Sequence, residues 1–419
     1  MARTLALTVA IVAIGTPSLA GAQAGSPAGP VPVVHLVARR AALMDRMGTG
    51  VAVLPSARHR SLEQDYPQDS DYRESNDFFY LTGLEAPGAS LVLVARSGAP
   101  DTVFLYLPER EPSAERWTGS RLAPGAEATR LSGVADVRPA SEADSQIERI
   151  VGRRGSGGRI PARSLEGMIA QLRQIKDEEE VRRLRRAIAI TGEALSEAMR
   201  QARPGMYEYE LEGLIEYGFR RRGAERVGFP TIVGSGPNGT ILHYDENRRQ
   251  TRGGELVVMD VGAEYGYYTA DVTRTIPISG RFDPRQRQLY ELVLGAQQAA
   301  MDSVRPGSDL ATLNRIARDH LRRHSGRLCG ESGCDRYFVH GLSHWLGMNV
   351  HDVGAFNRRL EPGMVLTIEP GIYIPAESLG IRIEDDVLVT AAGGEVLSWG
   401  IPRTVEEVER AMAEEPQFP

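Results

Sequence analysis

Residues Phe338 to Gly354 read F-V-H-G-L-S-H-W-L-G-M-N-V-H-D-V-G and place His340, His344 and His351 within twelve residues, although the whole chain has eight histidines. Carboxylates flank this phrase on both sides. Upstream, Asp260 and Asp271 stand in V-V-M-D-V-G-A-E-Y-G-Y-Y-T-A-D-V-T-R-T; downstream, Glu369 stands in T-I-E-P-G-I-Y and Glu384 in G-I-R-I-E-D-D. One histidine with four carboxylates is an oxygen-rich donor set, suited to two hard or borderline divalent ions that share bridging ligands. His243, in G-T-I-L-H-Y, together with His340 and His351 exceeds what one pair of ions needs. Imidazoles beside such ions suit hydrogen bonds to substrate and to a tetrahedral intermediate, or support of the ligands themselves. Arg382 lies two residues before Glu384 on the same strand face, where it could pair with a substrate carboxylate or with one of the acids.

Acids among apolar strand residues are costly unless paired or metal-bound. Any one of them, taken alone, reads more simply as half of a buried salt bridge or as a turn cap. Taken together they would need four separate counter-charges, and Arg274 and Arg382 are the only cations close by in sequence. The joint pattern therefore favours a metal centre.

Gathering these acids demands particular elements. Asp177 to Ala202 carries Val181, Leu184, Ala187, Ile188, Ala194, Leu195 and Met199 at helical spacing, with Thr191 in the gap, and so predicts an amphipathic helix. Pro204 and Gly205 stop it, and Glu208 to Arg222 predicts a second helix. Gly254 to Gly262 and Tyr267 to Ile278 pair as a β-hairpin about A-E-Y-G. The pattern then recurs, with helices over Pro284 to Arg305 and Asp309 to His324 and strands over Met364 to Tyr373 and Gly380 to Thr390. Asp260 and Asp271 belong to the first hairpin, Glu369 and Glu384 to the second. Alternation along each strand turns one acid toward a shared floor.

Ahead of this repeat, Gly25 to Val34 is rich in Pro, Gly and Ala and reads as a linker. A helix over Ala38 to Met47 and strand-like runs over Val51 to Leu54, Phe78 to Leu81, Ser90 to Ala95 and Thr102 to Leu107 imply an α/β domain, with its edge at G-R-R-G-S-G-G from Gly152 to Gly158. A chain of 419 residues is long for a single core, and two domains are expected. The division is a signal over residues 1–24, a linker over 25–34, an N-terminal α/β domain over 35–170 and a catalytic domain over 171–419. The signal reading rests on Arg3, the short apolar stretch Leu5 to Ile14, and A-x-A sites at Ala20 to Ala22 and Ala22 to Ala24. Export, to a periplasm or the medium, makes the only two cysteines, Cys329 and Cys334, candidates for one local disulfide. A net charge of -6 gives no electrostatic argument for nucleic acid, and no later stretch reads as a membrane span.

H-G-L-S-H-W-L-G-x-x-V-H-D-V-G, D-V-G followed by T-R-T at this spacing, T-I-E-P-G-I-Y and G-I-R-I-E-D-D-V-L-V-T together resemble the pita-bread metallopeptidases. Within them the chain is most similar to the Xaa-Pro aminopeptidases (aminopeptidase P), with prolidase as the near relative. Y-R-E-S-N-D-F-F-Y-L-T-G, Tyr72 to Gly83, is similar to the N-terminal domain signature of that family, and L-R-Q-I-K-D-E-E-E-V, Leu172 to Val181, to the start of its catalytic domain. The resemblance implies an N-terminal α/β domain before a pseudo-two-fold catalytic domain, and hydrolysis of the bond between an N-terminal residue and a following proline. Asp260 would bind one ion, His344 and Glu369 the other, and Asp271 and Glu384 would bridge. Manganese is the family's usual metal, and the donor set also admits zinc or cobalt.

By the same resemblance, Glu369 would shuttle a proton, and His340 would donate to the developing oxyanion or the scissile amide. His351, Tyr373 and Arg382 would shape the proline side of the pocket, and His243 would assist orientation. The alternatives are a prolidase restricted to Xaa-Pro dipeptides, a metal-free binding module of the same fold, or a creatinase-like amidinohydrolase. The ligand positions are all filled, which argues against the last two. Dimers or tetramers formed through the N-terminal domain are implied as well, with Trp117 as the aromatic that would reach a neighbouring site.

Overall fold

The computed structural model describes residues 26–58, 72–98, 100–153 and 155–417, so the expected export signal over residues 1–24 lies outside the described residues. The N-terminal domain runs through α1 (Val33–Met47), β1 (Gly50–Pro55), α2 (Asn76–Thr82), β2 (Ser90–Ala95), β3 (Thr102–Leu107), α3 (Pro112–Thr118), α4 (Ala126–Ser132), β4 (Asp136–Pro139), α5 (Ala143–Val151) and α6 (Ala162–Arg173). Its strands form one sheet in the order β1-β2-β3-β4, antiparallel except for the parallel β3–β4 pair. Alternation sorts the side chains. Leu91, Leu93, Leu105 and Leu107 join a core with Leu36 and Leu43 of α1, while Val92, Val94 and Tyr106 pack with Ile147 and Ile150 of α5.

Two expectations fail here for local reasons. Phe78 to Leu81, read as a strand, lies inside α2. A short apolar run does not declare its period, and the flanks decide: Ser75 Oγ accepts from Phe78 N at the N-terminus, and Gly83 closes the helix in the left-handed region at φ 66°. The expected linker over 25–34 is also shorter than its composition suggests. α1 starts at Val33 behind Pro32, and Val31 is buried against the domain core.

The catalytic half contains α7 (Glu178–Gln201), α8 (Glu208–Arg221), β5 (Arg226–Val227), β6 (Ile232–Ser235), β7 (Leu256–Val261), β8 (Ala263–Tyr265), β9 (Tyr268–Thr269) and β10 (Val272–Pro277). There follow α9 (Pro284–Met301), α10 (Leu310–His324), β11 (Val365–Ile368), β12 (Gly371–Ile374), β13 (Leu379–Arg382), β14 (Asp385–Thr390), β15 (Gly393–Val396) and α11 (Val405–Met412). α7 packs on α8 and α9 on α10, each pair ahead of a hairpin, so the expected repeat is present. Asp177 caps α7 through a reciprocal box: its carboxylate accepts from Glu180 N, and Glu180 accepts from Asp177 N.

The hairpins are not continuous strands. β9 ends before Ala270 and Asp271, β11 before Glu369 and Pro370, and β13 before Ile383 and Glu384. Three of the four acids thus sit at interruptions of a ladder, and Asp260 alone lies inside a strand, opposite Thr273. The two hairpins are stitched together by the T-R-T segment. Thr275 Oγ1 donates to Arg382 O at 2.9 Å, and Arg274 Nη1 donates to Glu384 O at 2.6 Å.

The N-terminal domain reaches the segment that carries His351. Arg73 Nη2 donates to Met348 O at 3.0 Å, and Asn76 Nδ2 donates to Asn349 Oδ1 at 2.8 Å. Asp352 is buried between Arg173 Nη2 at 2.5 Å and Lys176 Nζ at 3.2 Å, and Arg173 also holds Asp77 of α2 at 2.7 Å. Cys329 and Cys334 form the expected disulfide, which closes the loop between α10 and the segment leading to His340. Among the described residues no helix is long and apolar enough to cross a membrane.

Candidate metal centre

The strand interruptions bring the expected donors to one place. Ligand atoms of Asp271, His344 and Glu384 all lie within 4.8 Å of one another. His344 Nε2 stands 3.2 Å from Asp271 Oδ2 and 3.4 Å from Glu369 Oε1. All five expected metal ligands line one cavity of about 510 Å³, with His243, His340, His351 and Arg382 in the same wall. Phe229, Pro230, Ile232, Leu242 and Val350 supply its apolar side.

The histidine's tautomer tests whether a cation belongs here. His344 Nδ1 lies 3.1 Å from Trp345 O. A carbonyl only accepts, so Nδ1 carries a hydrogen, and Nε2 is the ring nitrogen turned toward the two carboxylates. Nε2 of a neutral ring offers a lone pair there, and a cation between the ring and the two carboxylates would be bound by all three. Asp260 Oδ1 and Glu384 Oε1 are buried without a hydrogen-bond partner among the described residues. Burial pushes Asp271 and Glu369 well above the usual carboxylate range, with the Glu384 charge adding to both. Glu384 is pushed up to about 7 by burial and then by Asp260. Acids crowded in this way keep protons or share cations. The donors fit divalent metal ions.

Other expected residues take definite partners. Arg382 is buried and engaged on every side: Nη2 donates to Asp260 Oδ2 at 2.6 Å, Nη1 to Tyr373 OH at 3.0 Å and Nε to Thr273 Oγ1 at 3.1 Å. Of its two expected pairings it takes the one with an acid. Tyr373 OH then donates to His340 Nε2 at 2.8 Å, and His340 Nδ1–H to Gly341 O at 2.8 Å. Burial, reinforced by the Arg382 charge, lowers His340 to about 4, so the ring is neutral near pH 7. Both its nitrogens are occupied, and donation to substrate requires Nδ1–H to leave Gly341 O. Glu369 Oε2 lies 3.7 Å from that nitrogen.

His351 and His243 lie at the exposed mouth, with ring centroids 6.3 Å apart, and His351 meets the edge of His344 at 4.3 Å. Burial and then the neighbouring His344 lower the His351 pKa. Trp117 is 78% exposed on α3.

Several contributors were not singled out from sequence. Thr273 Oγ1 donates to Glu384 Oε2 at 2.6 Å, and Thr367 Oγ1 to Glu369 Oε1 at 3.2 Å. Asp386 Oδ2 accepts from Asp271 N at 3.2 Å, and burial and then Glu384 push its carboxyl well above the usual range. The doubled acid in I-E-D-D-V, set in an apolar strand, was the available signal. Its first member, Asp385, pairs with Arg274 at 2.7 Å.

The metallopeptidase family M24 profile matches residues 182–391, and the aminopeptidase P N-terminal domain profile matches residues 36–157. The chain belongs to metallopeptidase family M24. Xaa-Pro aminopeptidase of Escherichia coli (strain K12) is 37% identical to it, over 89% of this chain and 96% of that protein. The structure of zinc-substituted E. coli aminopeptidase P in complex with product is similar at a TM-score of 0.83 and 34% identity, covering 92% of this chain and 99% of that one. Proline aminopeptidase P II from Yersinia pestis gives a TM-score of 0.83 at 34% identity, over 91% of this chain and 100% of its own. Within the family it is the aminopeptidase P architecture, both domains included, that this chain shares.

Proposed function

We propose that this protein is an exported Xaa-Pro aminopeptidase that uses two divalent ions to remove the residue preceding a proline at the second position of a peptide. The observation that carries the metal reading is His344 Nε2 turned toward Asp271 and Glu369, beside buried oxygens of Asp260 and Glu384 that have no hydrogen-bond partner among the described residues. Family membership and the named relatives support the peptide chemistry. Asp260 would hold one ion, His344 and Glu369 the other, with Asp271 and Glu384 shared, and manganese is the ion we assign. Ions bound there would activate water near neutral pH and polarise the scissile carbonyl.

The chain's own residues do the rest. Glu369 lines the cavity and would accept a proton and pass it to the leaving proline nitrogen. The Arg382, Tyr373 and His340 relay fixes the imidazole edge beside Glu369, and Nδ1–H is its mobile donor. Phe229, Pro230, Leu242 and Val350 give apolar walls for a pyrrolidine ring, with His351 and His243 at the rim to orient the peptide. The Cys329–Cys334 disulfide accords with an oxidising compartment. Exposed Trp117 is our candidate for contact with a neighbouring subunit in a dimer or tetramer.

The test is an assay of metal-stripped protein reloaded with Mn2+, Zn2+ or Co2+, on Xaa-Pro dipeptides against Xaa-Pro-Yaa peptides. Cleavage of Xaa-Pro-Yaa with two ions bound is expected. Activity on dipeptides alone would make the protein a prolidase, and activity unaffected by removal of the metal would overturn the metal reading.

A further inference from the structure

One buried polar side chain outside the ligand set joins both halves of the second hairpin. Gln297 lies on α9 among Val293, Ala296 and Ala300 and is fully buried. An amide in that position is costly unless bonded. Its Nε2 donates to Ile368 O at 3.1 Å, to Ile383 O at 3.0 Å and to Asp385 Oδ2 at 3.0 Å. All three partners only accept, which fixes the amide's orientation.

The positions of those acceptors give the contact its meaning. Ile368 immediately precedes Glu369, and Ile383 immediately precedes Glu384. The β11–β14 ladder pairs Ile368 with Asp385, and the β12–β13 ladder resumes with Gly371 opposite Arg382. Between those pairs, Glu369 and Pro370 face Ile383 and Glu384 outside any regular ladder, and Pro370 has no N–H to offer. The interruption that frees both carboxylates therefore also frees two carbonyls, and one carboxamide takes both.

The first repeat has a counterpart. Thr191 of α7 is fully buried, accepts from Ala263 N at 2.9 Å and donates to Ala187 O at 2.9 Å, where the chain leaves β7 for β8. Each repeat thus sends one polar residue from its first helix to the break in its own sheet.

We propose that Gln297 is a positioning residue that sets the separation of Glu369 and Glu384, and through them the spacing of the ions they hold. This rests on the reading of those two acids as metal ligands. Gln297→Met keeps the volume and removes the donors, whereas Gln297→Asn keeps the carboxamide and shortens its reach by one methylene.

Metal-stripped wild-type and variant proteins are titrated calorimetrically with Mn2+, then assayed on an Xaa-Pro-Yaa peptide. For Gln297→Met, affinity for at least one Mn2+ falls about tenfold or more and kcat falls with it. KM stays within about twofold, because no substrate contact is removed. Wild-type affinity and kcat in folded Gln297→Met, with only thermal stability reduced, would overturn the proposal. Should Gln297→Met not fold, Gln297→Asn decides by the same two readouts. A wild-type protein that takes up no Mn2+ would overturn the ligand reading itself, a result separable from one in which wild type binds and the variants match it.

Discussion

Replacing Arg382 with methionine removes the guanidinium that pairs with Asp260. The pair is buried, with Nη2 at 2.6 Å from Oδ2. Two unit charges about 4 Å apart attract by about 4 kcal/mol at an effective dielectric constant near 20. Stripping one partner from a buried pair costs about 3–5 kcal/mol, mostly as the penalty of the charge left behind. Arg382→Met in metal-stripped protein should therefore lose stability on that scale. Asp260→Asn/Arg382→Met removes both charges, so it should cost less than the two single changes added together, with a coupling of about 3 kcal/mol. Arg382→Lys should fall between, since an ammonium keeps the charge but cannot span Asp260, Tyr373 and Thr273 together. Urea unfolding of the wild type, both single variants and the double variant, near neutral pH with chelator present, measures the cycle. Single-variant costs that add to within about 0.5 kcal/mol would refute the reasoning, because independent sites behave that way.

Glu369→Gln should keep most of the bound metal, measured by elemental analysis, while kcat falls by about two decades or more; a near-normal kcat with both ions bound would refute the proton shuttle. Glu180 bears on pH dependence, because burial outweighs the Arg39 attraction and pushes its carboxyl up to about 7 from an ordinary 4.5. The folded state then favours the protonated form, so this stabilisation is full below pH 4.5 and is lost as pH rises through about 7. Between those limits the stability of wild type should fall relative to Glu180→Gln by up to about 3 kcal/mol, and parallel stability curves for the two proteins would refute it. Cys329→Ser/Cys334→Ser should cost about 2 kcal/mol, as expected for so short a loop, read from denaturant midpoints in oxidising buffer; a larger loss would mean that the bridge does more than close its loop.

The donor set was legible because the ligands lie in four short phrases, and because Asp260 and Asp271 belong to one hairpin of a repeat and Glu369 and Glu384 to the other. The ladder interruptions were not legible. Period-2 reading ran Met364 to Tyr373 as one strand, whereas β11 and β12 part at Glu369 and Pro370. Apolar alternation continues across such a break, and only the hydrogen-bond partners reveal it. Partner choice was likewise hidden. Sequence left Arg382 open to a substrate or an acid, and the fold settles it by laying β13 beside Asp260. The donor state of His340 depends on Gly341 O, a backbone group whose direction no side-chain pattern encodes. α2 was missed because its run is short and apolar all round, so its caps held the only information.

The clasp on Met348, Asn349 and Asp352 makes the N-terminal domain part of the catalytic domain's tolerance for redesign. A chimera that exchanged this domain for a relative's would have to bring Arg73, Asn76, Asp77 and Arg173 with it, or answer Asp352 with Lys176 alone. The rim that carries His351 would then depend on residues drawn from two ancestries, and natural drift on one side would press for compensating change on the other. Domain boundaries drawn by packing and boundaries drawn by inheritance need not coincide in such a molecule. The unit that can be recombined safely extends past α6 to the end of the His351 segment.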